Sequence, residues 1–537
     1  MSAIISSKFR LENLKAFNAS VEADNFYLFI SKPLPWSDES SPDTPIDSDE
    51  ALRAIWNEAI AAKRITTDDI RQGIFLRVWT SGKFYDRYRS DYDGTVSGVD
   101  IDTGSPTTPA NLFDTNFYVV DDVTLNVYKC LSNISLTTGL PIASINKPSG
   151  TSSSVIVTGD GYRWKYMFTV PSGDAANFNT PSFIPAPAIG TSTLVDGGIY
   201  TYVVETDGTG YTSTPTATVF GDGTGATATV NVSGNQVKSV VVNAPGSGYK
   251  NAKVVISGGG GSGATVKPMI SPQGGHGSAP ADELGGIYVL IAQQLQAEEV
   301  NSKFTVSNDY RQLGLIKNPT RNISPAGQVG VEADASGNPT THIRGSSTTF
   351  TTQVVVGDVI KINNTADGTV IYLKVASIAS DISAFAESVP APGSLDLTTF
   401  GGSVVGYDYE VIVSDETVDL TSRLLFTGAL SGTGTFAADA SITGGTSGAV
   451  AKSVDFNTST HVGRYILDYT VNANIVNFAN NETVSDGVGQ SGTTAASNAV
   501  TAPDATPYSG EIIYFENRRA INRSADQSEA IRIVIEF

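Results

Sequence analysis

The chain is expected to be mainly β. It reads as a discontinuous β-rich core body with a few helices, interrupted by two inserted Gly/Thr-rich β-modules. Three observations predict this. Glycine is abundant, at 53 of 537 residues, while only 16% of residues are charged, a composition suited to short strands joined by tight turns. Strict alternation recurs, most clearly at the end, where Ile531, Ile533, Ile535 and Phe537 would share one face and Arg532, Val534 and Glu536 the other. The length exceeds what one hydrophobic core serves, so several domains are expected.

Residues 3–17 carry Ile4, Ile5, Phe9, Leu11, Leu14 and Phe17, with helical spacing in the later part. Residues 25–31 predict a strand. Pro33, Pro35 and Trp36 open an acidic, proline-rich loop to Pro45. Asp47, Ser48, Asp49 and Glu50 then supply a cap and early acids. Leu52, Ile55, Trp56, Ala59 and Ile60 predict one apolar helical face, with Lys63 and Arg64 at its C-terminal end. Residues 73–79 predict a short strand. The following stretch combines Arg77, Lys83, Arg87 and Arg89 with Trp79, Phe84, Tyr85, Tyr88 and Tyr92. On an acidic protein such a patch marks either a protein interface or a loop that covers the core, and composition does not choose.

Strands are expected at 116–120, 126–131 and 163–170, the last after a Gly159-Asp-Gly-Tyr162 turn, and 183–187 ends this region. The composition changes near Ile189. Gly208-Thr-Gly-Tyr211 recurs as Gly246-Ser-Gly-Tyr249, and Gly225-Ala-Thr-Ala-Thr-Val230 as Gly263-Ala-Thr-Val-Lys-Pro268, both at an offset of 38. This is an internal duplication, too short for a solenoid, so a compact β-module is expected. Residues 272–286 form a Gly-rich connector, 287–298 fit helix or strand equally, and 310–319 return to the character of the first region. From 322 to 506 the chain is again rich in Thr, Gly, Ser and Val, with strands expected at 352–362 and 370–378 around Gly357-Asp358, and at 407–413. A weaker repeat relates Phe436 and Phe478. This region reads as β-sandwich or barrel modules. Residues 511–516 predict a strand and 517–529 a polar loop before the terminal strand.

The net charge of −20, from 34 Lys+Arg against 54 Asp+Glu, argues against a nucleic-acid surface, which needs clustered cations. A single cysteine, Cys130, excludes an intrachain disulfide, and its apolar neighbours suggest a buried, inert thiol. The start of the chain lacks a signal-peptide layout and no apolar run reaches membrane-spanning length, so a soluble protein made in the cytoplasm is expected, without membrane insertion. His276, His342 and His461 lie in different segments, and no pair has metal-ligand spacing; His276, in its Gly-rich loop, is expected to be solvated. Gly221-Asp-Gly-Thr-Gly225 lacks the lysine and helix of a phosphate loop and reads as turn. Asp91, Asp93, Asp100 and Asp102 lack EF-hand spacing and read as an exposed acidic loop. Paired carboxylates for glycoside cleavage are defined by separation in space, so the acids alone do not identify them, and no Gly-x-Ser-x-Gly elbow occurs. No catalytic residue, metal or cofactor is assigned.

Five stretches, in order, carry a resemblance. They are Ala3-Ile-Ile-Ser-Ser-Lys-Phe-Arg10; Phe29 through Pro35-Trp36-Ser37; Gly159-Asp-Gly-Tyr-Arg-Trp-Lys-Tyr166; Tyr310-Arg-Gln-Leu-Gly-Leu-Ile-Lys-Asn-Pro319; and Ser509-Gly-Glu-Ile-Ile-Tyr-Phe-Glu-Asn-Arg518 with Ala525-Asp-Gln-Ser-Glu529. Together they resemble the baseplate wedge protein, gene product 8, of T-even-type contractile-tail phages. The resemblance implies a mainly β structural subunit of the virion tail baseplate, made in the host cytoplasm, that forms a homodimer beside other wedge proteins and possible tail fibres, without catalysis. It partitions the chain into core body (1–188, 272–320 and 507–537), an inserted duplicated module (189–271) and inserted sandwich or barrel modules (321–506). Insertions survive best at exposed loop tips, so both modules are expected to project. The residues expected at a partner interface are Phe9, Arg10, Trp36, Tyr514, Phe515, Glu516, Asn517 and Arg518 in the matching stretches, with Trp79, Tyr85 and Tyr88 in the aromatic stretch. Two further readings compete: a receptor- or glycan-binding tail protein using the inserted modules, and an envelope-degrading enzyme.

Overall fold

Strands are the main regular element: the chain is 45% strand and 10% helix. The computed structural model describes residues 4–31, 35–190, 195–296, 303–304, 309–334, 336, 339–363, 370–388, 407–468, 471, 476–522 and 528–537; Ala3, Pro33 and Ala525 to Gln527, named above, lie outside them. Among these residues no helix is long and apolar enough to cross a membrane. The chain divides into two units, each assembled from discontinuous pieces. Met1–Asn18, Asp69–Ala292 and Arg532–Phe537 form the first, and Ala19–Asp68 and Gln293–Ile531 the second.

The first unit is organised around an antiparallel sheet in the order Tyr118–Val120, Asn126–Ser132, Arg163–Thr169, Ile156–Val157. Its second strand is buried on both faces, so alternate residues feed two cores. Val119, Tyr128, Cys130 and Trp164 pack with Tyr85 and Tyr162 on one side. Tyr118, Val120, Val127 and Leu131 pack with Ile74, Tyr88 and Phe117 on the other. Trp164 stacks on Tyr162, centroids 5.3 Å apart, and meets Tyr85 edge-on at 5.8 Å. Burial raises the Cys130 thiol well above its ordinary range, as an inert core sulfur requires.

Beside this sheet, the strand expected at 73–79 runs instead over Ile70–Phe75. Gly73 sits inside it because a Cβ there would lie 2.7 Å from Leu290. The undecided stretch at 287–298 is a strand, Tyr288–Gln296, and Tyr288 pairs with Gly73. The chain's last residues close against both ends of the unit. Phe537 N–H donates to Ile287 O, the Phe537 ring lies 5.4 Å from Phe17, and Arg10 pairs with Glu536 at 3.0 Å.

The 38-residue duplication folds as an exchange. Ile199–Thr209 pairs with Ser262–Ile270, while Gln236–Ser247 pairs with Thr224–Ser233. The first strand of each repeat therefore pairs with the last strand of the other, and Thr216–Gly221 pairs with its own counterpart, Ala252–Ser257. The contacts repeat under the same exchange. Tyr211 Oη accepts from Ala264 N at 3.4 Å, and Tyr249 Oη accepts from Ala226 N at 3.4 Å. Gly208 and Gly246 take φ of +64° and +62°, a left-handed conformation that costs glycine nothing. A Cβ on Gly223 would lie 2.5 Å from Tyr249 Cγ, and one on Gly261 2.5 Å from Tyr211 Cγ.

In the second unit an antiparallel five-stranded sheet runs Thr417–Asp419, Ala59–Ile65, Phe26–Ser31, Tyr310–Lys317, Glu511–Ile521. The middle strand is buried throughout. Gly314 faces Phe29 across the pairing and leaves space for its ring, 2.7 Å from where a Cβ would stand. Two expectations are corrected here. The helix stops at Asn57, capped by Ser48, whose side chain accepts from Ala51 N. Ala59 and Ile60 then begin a strand rather than continuing a helical face, because small residues buried on both sides suit an interior position in this sheet. The strand expected at 511–516 extends to Ile521, so Asn517 to Ile521 are strand and not loop; their polar side chains find partners along the sheet edge.

Two further sheets are formed by the described residues of this unit. The first runs Gln328–Ala333, Pro339–Ser346, Ser383–Ala386, Val370–Ser380, Val359–Asn363, Tyr409–Ile412, over a core including Val331, Ile343, Ile360 and Leu373. Within the strand expected at 352–362, the part before Val359 is instead a short helix, Phe350–Gln353, and a turn. The fully buried Asp358 stops the strand: its carboxylate accepts from Val355 N and Ser414 N and pairs with Arg321 at 2.9 Å. The second sheet has seven strands, and both Phe436 and Phe478 of the weaker repeat are buried in its core.

Gly223→Ala and Gly261→Ala should each destabilise the protein by about 1–3 kcal/mol through overpacking against a buried tyrosine. Thermal unfolding of the full chain measures this. Gly428→Ala, where a Cβ meets nothing within 4 Å and the backbone is not left-handed, separates the clash from a general loss of glycine, and an equal loss in all three would refute the exchange geometry.

Candidate assembly interface

Glu511–Ile521 is the outer strand of its sheet, and an outer strand presents backbone groups that another chain can pair. Its C-terminal half is already clasped. Trp36 Nε1 donates to Arg518 O at 2.7 Å, Asn517 Nδ2 to Asp43 O at 2.8 Å, and Arg519 Nη2 to Ser40 O at 2.8 Å. Glu39 accepts from Arg311 at 2.8 Å, anchoring the same segment to the neighbouring strand. In the N-terminal half Ile513 is exposed at 42%.

Alternation places Tyr514, Glu516 and Arg518 in one row. Tyr514 Oη donates to Glu516 Oε2 at 2.8 Å, and the Arg518 guanidinium holds Glu516 Oε1. Burial, then the Glu516 charge, pushes the Tyr514 phenol up, so it stays a donor. Phe515 points the other way and packs with Tyr27, Phe29 and Ile316. The Asn517 side chain also accepts from Gln312 at 2.9 Å. The second unit thus brings Trp36 together with Tyr514, Phe515, Glu516, Asn517 and Arg518.

The other residues expected at an interface lie in the first unit and do not form one patch. Phe9 is exposed at 57%, and Arg10 beside it is tied to Glu536 and to the Phe537 backbone oxygen. Trp79 Nε1 donates to Ser144 Oγ at 3.1 Å under Lys147, 5.7 Å from its ring. Tyr85 and Tyr88 are buried. For these two rings the structure favours the second of the two readings, a loop that covers the core. Asp91 is not part of an exposed acidic loop: burial alone would raise its carboxyl, but Arg89 and Lys267 hold it at about 2. Asp93 and Asp100 close local turns by accepting from Thr95 N and Thr103 N. Asp222, in the turn read at 221–225, ties it to the other repeat by accepting from Lys250 N and Asn251 N.

Sequence reasoning missed a buried ionic cluster and misplaced its histidine. His276 is not solvated but 3% exposed, edge-on to Tyr88 at 4.9 Å and Tyr200 at 5.1 Å. Beside it, the fully buried Lys129 pairs with Glu283 and lies 4.9 Å from the Tyr88 centroid. Glu283 also accepts from Gly277 N at 2.8 Å and Ala279 N at 3.2 Å. The Gly-rich connector therefore folds inward as a lid on this pair. Desolvation, then the charges of Lys129 and Lys165, pushes the His276 imidazole well below its ordinary value. One signal could have found the cluster: Lys129 shares a strand face with Val127 and Leu131, an inward position. With its charges paired and closed off, the cluster serves structure.

Residues 3–192 match the family model described as Bacteriophage T4, Gp8. The match spans the three N-terminal stretches of the resemblance and stops where the duplicated module begins. No curated protein matches the chain.

Glu283→Ala should cost about 3–5 kcal/mol, because it strands a buried ammonium; denaturant unfolding measures it, and a cost under about 1 kcal/mol would contradict the pairing. The lowered His276 value also carries a sign. The unfolded imidazole takes a proton near its ordinary 6.5 while the folded one resists, so this contribution is complete above that pH and is lost as pH falls through it. Glu58, held up at about 7 by burial and by Asp468, acts oppositely: its contribution is present below its ordinary 4.5 and lost as pH rises through about 7. The His276 share is therefore read as a difference. Melting curves between pH 7.5 and pH 5.5 (roughly one unit either side of the imidazole range) should fall less steeply for His276→Phe than for the unaltered protein.

Proposed function

We propose, from the premise that residues 3–192 belong to the phage Gp8 baseplate wedge family, that this chain is a structural subunit of a contractile-tail baseplate wedge, and that this wedge role is one of assembly and needs no chemistry. The family match is the observation that carries the reading. It makes the virion tail baseplate the expected location and other wedge proteins the expected partners. A homodimer is part of the proposal, with a two-fold, self-complementary contact, and so is the projection of the two inserted modules, which leaves them free to meet tail fibres or neighbouring wedges.

The row of Tyr514, Glu516 and Arg518, with Trp36 beside it, supports the outer strand as a partner surface. Tyrosine, tryptophan and arginine are the residues that most often dominate interface energies. Here their polar groups are already oriented by one another, so little side-chain freedom remains to be lost on docking.

The first test is the mass of the full chain in solution, alone and mixed with purified wedge components. A dimer that enters a larger complex is expected. Tyr514→Ala and Arg518→Ala should then weaken that complex by at least about tenfold, or about 1.4 kcal/mol, with melting temperature unchanged. A monomer indifferent to every wedge component would sink the assembly reading. Undiminished assembly of both variants would instead move the contact to another surface.

A further inference from the structure

Three strands of the six-stranded sheet place a glutamate, a histidine and a serine in one hydrogen-bonded line. Inward residues Val331, Ile343 and Ala384 are buried in the core. The intervening residues face outward: Glu332 on the first strand, His342 and Arg344 on the second, Ser383 and Phe385 on the third. Register sets the spacing, with His342 opposite Phe385 and Arg344 opposite Ser383. His342 Nε2 lies 2.8 Å from Ser383 Oγ, and His342 Nδ1 bonds Glu332 Oε2. The imidazole stacks on Phe385, centroids 4.7 Å apart and planes 12° from parallel, which fixes the ring between its two partners. The Arg344 guanidinium holds the second Glu332 oxygen at 3.3 Å.

The direction of these bonds matters. The His342 bond holds the Glu332 carboxyl below its usual range, so the ionised carboxylate accepts a proton-bearing Nδ1. In the neutral ring this leaves the Nε2 lone pair to accept from the Ser383 hydroxyl. Nucleophile, base and orienting acid are recognised by these roles, whatever their order in the chain. Arg344 is paired opposite Ser383 in the ladder, and its guanidinium is engaged with Glu332, so it helps to hold the orienting acid.

We propose that Ser383, His342 and Glu332 form a hydrolytic site for unhindered carboxylic esters. The nucleophile stands on an open sheet face, so it suits acyl groups that project from a larger carrier. Ser383 Oγ attacks the ester carbonyl and its proton passes to His342 Nε2. The ester C–O bond breaks and the alcohol leaves with that proton. Water then attacks the acyl-serine, again through His342, releasing the carboxylic acid and restoring the serine. Ser383 and His342 are the catalytic residues, and Glu332 is a positioning residue. This site is independent of the assembly role proposed above.

The full-length protein should be treated with a fluorophosphonate probe and assayed for p-nitrophenyl acetate hydrolysis. The expected result is label mapped to Ser383 and hydrolysis above buffer. Both should disappear in Ser383→Ala and fall at least about a hundredfold in His342→Ala. Glu332→Gln should slow labelling while leaving Ser383 the labelled residue, an effect a purely structural glutamate would not produce. Each variant is checked for an unchanged melting temperature, since all three positions face solvent. Absence of label at Ser383, hydrolysis that survives Ser383→Ala, or labelling at an unchanged rate in His342→Ala would each overturn the proposal.

Discussion

Backbone hydrogen bonding to distant strands is the constraint on which the second unit depends. Phe26–Ser31 is buried throughout, so its peptide groups are cut off from water and must all be paired by neighbouring strands. One neighbour, Ala59–Ile65, is local. The other, Tyr310–Lys317, lies far downstream in the chain, and its own far side is covered by Glu511–Ile521. A sheet closed this way cannot form piecemeal. The loop-closure entropy of long connections precedes the contacts that offset it. Intervening segments that fold as sheets of their own shorten the effective loop, which gives those segments a physical part in folding.

The features legible in the sequence are those set by local pattern. The alternation at 531–537 marks a strand because one of its faces lies against a core, whereas Arg163–Thr169 is buried on both faces and is marked by its aromatic residues after a glycine turn. The repeat at 208–211 and 246–249 is visible because its glycines and tyrosines are tied to backbone conformation and a single close contact. Where the expectation failed, tertiary context overrode local pattern. Ala59 and Ile60 continue a helical apolar face by their spacing, yet the interior of a sheet claims them. Asn517 to Ile521 read as polar loop, yet an outer strand held by Trp36 and Ser40 accommodates polar side chains. His276 lies among glycines that suggest solvent, and those glycines are what allow the chain to turn inward over Lys129.

The candidate sites divide in the same way. The row at Tyr514, Glu516 and Arg518 is within reach of sequence reasoning because its spacing of two is the strand's own period. Glu332, His342 and Ser383 are not, since only the register of three strands unites them. The paired Lys129 and Glu283 are likewise remote in sequence. Their burial makes the first unit depend on one electrostatic match, where loss of either partner costs more than the pair contributes.

The exchanged contacts of the duplicated module carry a further consequence. A single 38-residue unit holds a tyrosine whose backbone donor lies in the other unit, and a strand whose partner is also there. Alone, it would present an unpaired edge and a glycine-lined slot shaped for a ring it does not own. Two separate copies would complete each other. The tandem is therefore the covalent form of a symmetric dimer, and joining the copies removes the concentration dependence that two short chains would face. The linkage also frees the halves to diverge in sequence: Gly263-Ala-Thr-Val-Lys-Pro268 has departed from its counterpart while its strand keeps its pairing with Ile199–Thr209.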